Sequence, residues 1–305
     1  MLTFGRLITA VVTPFRGDGH VDYDVFGRLI DGLIRAGNDS IVVTGTTGES
    51  PVLTETERLA LYRESVRVAD GRARIIAGTG GYNTKESVNL SRKAAETGVD
   101  GLLQVTPYYN KPPQDGMFRH FEAIATATHL PNILYNVPGR TSCNLEAPTV
   151  ARLSTIDNVV GIKEASADFE QIAEIARITP DDFVIYSGND ADTYLVMALG
   201  GVGVVSVASH VVSTVIRSMI DAFLTGDIAG ARKLHLHLLP ISQALFPTGW
   251  PNPVAVKAAL KLAGFNTGAP RLPLVELPVD MEANLRTVLA AYELDPYLDQ
   301  PPVAV

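Results

Sequence analysis

The chain has 305 residues, 46% of them hydrophobic and 19% charged, which is enough to bury one barrel-sized core or two smaller ones. A formal net charge of −8 excludes a general attraction to nucleic acid or to anionic membrane, so an anionic substrate has to be met by locally placed Lys or Arg. The single cysteine, Cys143, excludes an intramolecular disulfide and reads as a small packing residue; no basic stretch followed by an apolar one opens the chain, so a reducing cytoplasm is the expected compartment.

Eight short apolar runs follow one another along the chain, each ending in polar, Gly or Pro residues. They are LITAVVTPF (7–15), SIVVTGTTGES (40–50), RIIAGTGG (74–81), GLLQVTPYYN (101–110), NILYNVPGR (132–140), VVGIKEAS (159–166), FVIYSGND (183–190) and GVVSVASH (203–210). Between them lie stretches such as DYDVFGRLIDGLIRAG and TETERLALYRESVRVADG, with apolar residues at three and four spacing and a closing Gly, which predicts helices. Strands that are nearly continuous apolar runs are covered on both faces, as parallel strands with crossover helices are. Eight uninterrupted βα units favour a closed (β/α)8 barrel, here residues 1–225, over an open doubly wound sheet.

The uncharged stretch from Thr193 to Ile216 is long enough to cross a bilayer, but Gly200, Gly201 and Gly203, then Ser206, Ser209 and His210, suit a helix end, a turn, a buried strand and its polar exit. From about residue 226 the strand signal stops. ARKLHLHLLPISQAL, PNPVAVKAALKLAG with Pro253 at a helix start, and DMEANLRTVLAAYE predict a helical appendage over 226–305, and the Pro-rich tail DPYLDQPPVAV is expected to fray.

In such a barrel the reactive groups gather at the C-terminal ends of the strands, so the polar exits of the runs are the candidates. Thr46 and Thr47 leave the second run, Tyr108 and Tyr109 the fourth, Tyr135 and Arg140 the fifth, and Lys163 the sixth; they are expected to converge on one mouth. A lysine inside a dry barrel has its pKa lowered and exposes a neutral amine able to form a Schiff base with a ketone. The competing reading is a structural pair between Lys163 and a carboxylate such as Glu49 or Glu164. Tyr135, Thr46 and Tyr109 could pass protons, although each such residue is commonly a core or rim group, and Arg140 could clamp a carboxylate or stand idle in an exposed loop. GTGG (78–81) lacks the remainder of any phosphate-binding fingerprint, and His235 and His237 point to different helix faces, so no metal site is expected.

Taken together, GTTGES (45–50), TPYYNKP (106–112), YNVPGRT (135–141), GIKEAS (161–166), SGND (187–190), GGVGVVSV (200–207), PNPVAVKAAL (251–260) and RLPL (271–274) resemble the dihydrodipicolinate synthase and N-acetylneuraminate lyase superfamily, almost end to end. The resemblance implies that Lys163 forms an imine with pyruvate, that Tyr135 donates and accepts protons, and that Thr46 and Tyr109 complete the relay, Tyr109 from a neighbouring subunit of a homotetramer. It further implies that Thr47, Val205 and Gly188 line the substrate site and that Arg140 binds the carboxylate of L-aspartate 4-semialdehyde. No metal or organic cofactor is implied, because the imine is itself the electron sink. Arg140 and the first threonine of GTTGE point to the synthase branch, whose condensation belongs to lysine and diaminopimelate synthesis. The alternatives are an aldolase of 2-keto-3-deoxy sugar acids using the same lysine, or a non-catalytic keto-acid sensor. Ser50, Glu86 and Tyr108 match the family's allosteric lysine site, whereas Pro51, Glu55, Arg58 and Tyr82 depart from it, which predicts weak or absent inhibition by lysine.

Overall fold

The computed structural model describes residues 4–299. Eight parallel strands close in sequence order: β1 (Leu7–Ala10), β2 (Ser40–Val43), β3 (Arg74–Gly78), β4 (Gly101–Val105), β5 (Asn132–Asn136), β6 (Val159–Glu164), β7 (Val184–Ser187) and β8 (Gly203–Ser206). Around them run α1 (Tyr23–Arg35), α2 (Glu55–Ala69), α3 (Thr84–Ala95), α4 (Gln114–Ala125), the short α5 (Pro138–Thr141), α6 (Ala147–Leu153), α7 (Phe169–Ile178), α8 (Thr193–Ala198) and α9 (Ser213–Leu224). The helices α10 (Ile228–Ala244), α11 (Val254–Leu262) and α12 (Val279–Leu289) follow. This is the (β/α)8 barrel expected from the eight runs.

Helix starts follow the local chemistry. Thr54 and Glu57 form a reciprocal capping box on α2, and Asp22, Asn83 and Asp168 cap α1, α3 and α7 through their side-chain oxygens, each worth about 1 kcal/mol. Period-2 alternation then divides each strand between two cores. Ile8, Val42, Ile76, Leu103, Ile133, Tyr135, Tyr186 and Val205 fill the barrel interior. Residues of the opposite parity, such as Leu134, Ile162 and Ile185, pack outward against the helices. Because Ile162 faces out, Lys163 faces in.

Thr193–Ile216 divides as expected between α8, β8, a 3-10 turn and the start of α9, and no helix among the described residues is long and apolar enough to cross a membrane. Fraying of the tail is corrected at its beginning. The Asp295 carboxylate accepts from the amides of Ser213 (2.7 Å) and Thr214 (3.1 Å), so it caps α9 from the far end of the chain. Tyr297 is buried, donates its hydroxyl to the His210 carbonyl, and lies where a Cβ on Gly32 would come within 2.4 Å of its ring. Pattern reading saw only the prolines; a buried aromatic and a remote cap outweigh them. Residues 300–305 of that expectation lie outside the described residues.

Candidate active site

The register of the barrel does the first assembly step. Tyr135 on β5 is the lateral partner of Lys163 on β6, which in turn partners Tyr186 on β7. Tyr135 and Lys163 are 6% and 5% exposed, and the lysine Nζ lies 4.2 Å from the centroid of the Tyr135 ring. Burial pulls the Lys163 pKa down to about 7; the charge of Asp190 opposes that fall and the charge of Arg140 adds to it. Burial also raises the Tyr135 pKa, partly offset by Arg140 and Thr46, so the phenol keeps its proton at neutral pH.

Both carboxylates that could have made Lys163 a structural ion pair are engaged elsewhere. Glu164 points out of the barrel and accepts from Asn136 Nδ2 (3.1 Å), Ser166 N (2.8 Å) and Gln171 Nε2 (3.2 Å), while burial raises its pKa. Glu49 sits 2.6 Å from the ammonium of Lys257. The amine of Lys163 is left with an aromatic face beside it and a carboxylate, Asp190, acting only through its charge.

A cavity of about 160 Å³ opens beside Tyr135, lined by Thr46, Val105, Tyr108, Arg140 and Thr141 among others; Lys163 and Thr47 are not part of its lining. Thr46 faces the Tyr135 phenol, with no hydrogen bond of regular geometry between them. Thr47 is buried, and its hydroxyl accepts from Asn252 Nδ2 at 2.8 Å. Arg140 is exposed on α5, with Nη2 3.5 Å from the carbonyl of Asn252. Val205 is an inward residue of β8, beside Ile8 of β1. Gly188 follows β7 so closely on β6 that a Cβ there would stand 2.6 Å from that of Ala165, and its amide donates to the Glu164 carbonyl at 2.7 Å.

Tyr109 does not join this group within one chain. It is 90% exposed, at φ 72°, on the loop after β4. Convergence of all the polar exits on one mouth therefore fails at this residue. Ser50, Glu86 and Tyr108 line a second cavity of about 510 Å³ outside β2 and β3, together with Pro51, Glu55, Arg58 and Tyr82. There Tyr82 and Tyr108 meet edge to face at 5.1 Å, and Arg58 Nη2 donates to the Ser50 carbonyl.

Two glycines of GTGG serve backbone packing, since a Cβ on Gly78 would lie 2.6 Å from the Thr44 carbonyl oxygen and one on Gly80 2.4 Å from the Val105 amide nitrogen. His235 and His237 separate as their spacing requires, one against Tyr194 and the other against Tyr292. Cys143 is partly buried, with its Sγ 2.8 Å from the Pro107 carbonyl.

Sequence reading passed over Asp190, Asn252 and Lys257. Half-buried Asp190 accepts from the Ser206 hydroxyl and from the amides of Val207 (2.9 Å) and Ala208 (3.0 Å), joining the exits of β7 and β8, and desolvation of its carboxylate raises its pKa. Its signal was its place at the polar end of SGND. Lys257 carried the same signal as Lys163, a lysine inside an apolar segment, VAVKAALKL.

Fold and site define a (β/α)8 barrel that carries a buried amine of lowered pKa at the end of a strand. The sequence model of the dihydrodipicolinate synthetase family matches residues 3–292. A relative from Symbiobacterium thermophilum, curated as 4-hydroxy-tetrahydrodipicolinate synthase, is 52% identical over 291 residues, covering 95% of this chain and 98% of its own. The crystal structure of a dihydrodipicolinate synthase from Bacillus anthracis superposes with a TM-score of 0.93 at 47% identity, over 96% of this chain and 100% of that one. The enzyme from Cyanidioschyzon merolae, solved with lysine bound, gives 0.93 at 45% identity, over 95% of this chain and 99% of that one. The chain belongs to the dihydrodipicolinate synthetase family.

Proposed function

We propose that this enzyme condenses pyruvate with L-aspartate 4-semialdehyde through an imine at Lys163 and closes the product to 4-hydroxy-tetrahydrodipicolinate, in lysine and diaminopimelate synthesis. The observation that carries the reading is the state of Lys163, a buried amine with a pKa near 7, beside a protonated tyrosine and without an ion-pair partner. Identity of 52% along nearly the whole length of a relative named for this activity supports the choice of substrates.

In this mechanism the neutral amine of Lys163 attacks C2 of pyruvate, and Tyr135 supplies the proton with which the carbinolamine loses water. The resulting iminium loses a methyl proton to give an enamine. Its carbon attacks the aldehyde of the second substrate, whose oxygen takes up a proton. The substrate's own amine then adds to the imine carbon and expels Lys163 as the free amine. One C–C and one C–N bond form and one water is lost overall, so no oxidant, metal or organic cofactor is called for. Thr46 orients the Tyr135 phenol, Thr47, Val205 and Gly188 hold pyruvate, and Arg140 binds the carboxylate of the semialdehyde.

Tyr109, exposed and held at positive φ, reaches the relay of a neighbouring copy, within a homotetramer that works in the cytoplasm. Arg58 in the cavity beside Ser50, Glu86 and Tyr108 repels the ammonium of a bound lysine, so feedback inhibition is weak or absent. Half-inhibition by lysine well below millimolar would contradict that.

The test is pyruvate-dependent condensation of aspartate 4-semialdehyde, coupled to reduction of the product by NADPH, with Lys163→Ala as control. Turnover lost in the variant is expected. A wild-type chain that traps pyruvate with borohydride but fails to turn over the semialdehyde would reassign the site to a sugar-acid aldolase.

A further inference from the structure

Lys257 on α11 is 3% exposed in its side chain and lies 2.6 Å from the 1% exposed carboxylate of Glu49, on the loop between β2 and α2. The contact is short but off the axis of a regular hydrogen bond, so it acts through charge. Burial lowers the Lys257 pKa while Glu49 pulls it back up, and the Phe15 ring lies 4.3 Å beneath the ammonium. A buried ion pair is weak evidence of net stabilisation, because desolvating two charges costs about as much as their attraction returns. Its use is to select one arrangement of the segments it joins.

The segment selected here is the loop that carries Thr46 and Thr47. The Thr44 hydroxyl is shared with Tyr62 at 2.7 Å, Thr47 is tied to Asn252, and the Gly48 carbonyl accepts from Thr13 at 2.7 Å. Glu49, at φ 57°, is held by Lys257 and by the amide of Arg271 at 2.9 Å. Of the three threonines, only Thr46 keeps its hydroxyl free of such ties, and it is the one that faces Tyr135. Asn252 and Lys257, both beyond the barrel strands, thus hold two residues that closely follow it.

We propose that Asn252 and Lys257 are positioning residues for the imine chemistry: through Thr47 and Glu49 they fix the loop after β2 so that Thr46 faces the Tyr135 phenol, which lies beside the Lys163 amine. The inference rests on the reading of Lys163 as the pyruvate-binding amine. It makes the C-terminal helical region part of the site's framework rather than an appendage.

Borohydride trapping of pyruvate, followed by intact mass on the full-length chain, reads the loop without the second substrate. Asn252→Ala is expected to raise the pyruvate concentration for half-maximal trapping about tenfold, the loss of one hydrogen bond, with the melting temperature little changed. Lys257→Met should lose both melting temperature and trapping rate. In the double variant Glu49→Gln/Lys257→Met, which removes both charges, melting temperature should recover while trapping stays at least about tenfold slow. If trapping recovers together with melting temperature, the pair is merely structural and the proposal fails. An unchanged half-saturation in Asn252→Ala overturns the role of that residue. A wild-type chain that traps no pyruvate removes the parent reading instead, so the two failures are distinguishable.

Discussion

Among the described residues two lysines are buried, and they differ in what supports their charge. Lys163 faces the barrel interior with an aromatic ring beside it and only the charge of Asp190 to support protonation, so its pKa falls to about 7. Lys257 lies outside the barrel on α11, where a carboxylate touches its ammonium and offsets part of the fall. Equal burial therefore does not mean equal reactivity. What separates the two is a contacting anion, because the Coulomb attraction that repays desolvation also helps to keep the proton on the nitrogen.

Covalent labelling gives the largest expected contrast. Reduction with borohydride in the presence of pyruvate should place the adduct on Lys163 and none on Lys257, and Lys163→Ala should lower condensation at least about a thousandfold. Peptide mapping that finds label at Lys257 would break the comparison.

Stability should move in opposite directions. Lys257→Met strands the Glu49 carboxylate and is expected to cost about 3–5 kcal/mol in urea unfolding. Lys163 has a folded pKa of about 7, below the unfolded 10.5, so the unfolded chain holds this proton more tightly. Its charge therefore destabilises the fold below about pH 7, and the penalty fades as pH rises towards 10.5. Lys163→Met should accordingly stabilise the protein, more at pH 6 than at pH 10. Destabilisation by both substitutions would show that the two lysines do the same job.

The smallest effect is the most specific one. Trapping by pyruvate should rise with pH around a midpoint near 7 as the amine loses its proton, some three units below an ordinary lysine. Asp190→Asn, which removes the opposing charge, should shift that midpoint further down; a shift upward would contradict the assigned influence of Asp190.

Much of this was legible in the chain itself. The eight runs marked their strands because a strand buried on both faces has to be apolar throughout, and Lys163 stood out because it breaks that rule. Tyr109 was legible as a polar exit but not by location, since a loop leaving a strand can turn inward or out to solvent with the same residues. Lys257 broke the same rule as Lys163 and was missed, because a helical segment offers an exposed face that a buried strand does not. The tail misled through its prolines, which describe local backbone and carry nothing about the distant amides that Asp295 caps.

Sequence by itself determined the barrel, the order of its strands and the inward lysine, because periodicity and burial are local properties that a side chain carries wherever the chain goes. Tertiary structure decided which lysine meets Glu49. Glu49 and Glu164 were both candidates for Lys163; strand parity already turns Glu164 to the opposite face from its neighbour, and only the packing of α11 brought Lys257 to Glu49. Charge pairing acts over a few ångströms between segments far apart in sequence, so that Glu49 is paired with Lys257 and not with Lys163 could be read only from the fold.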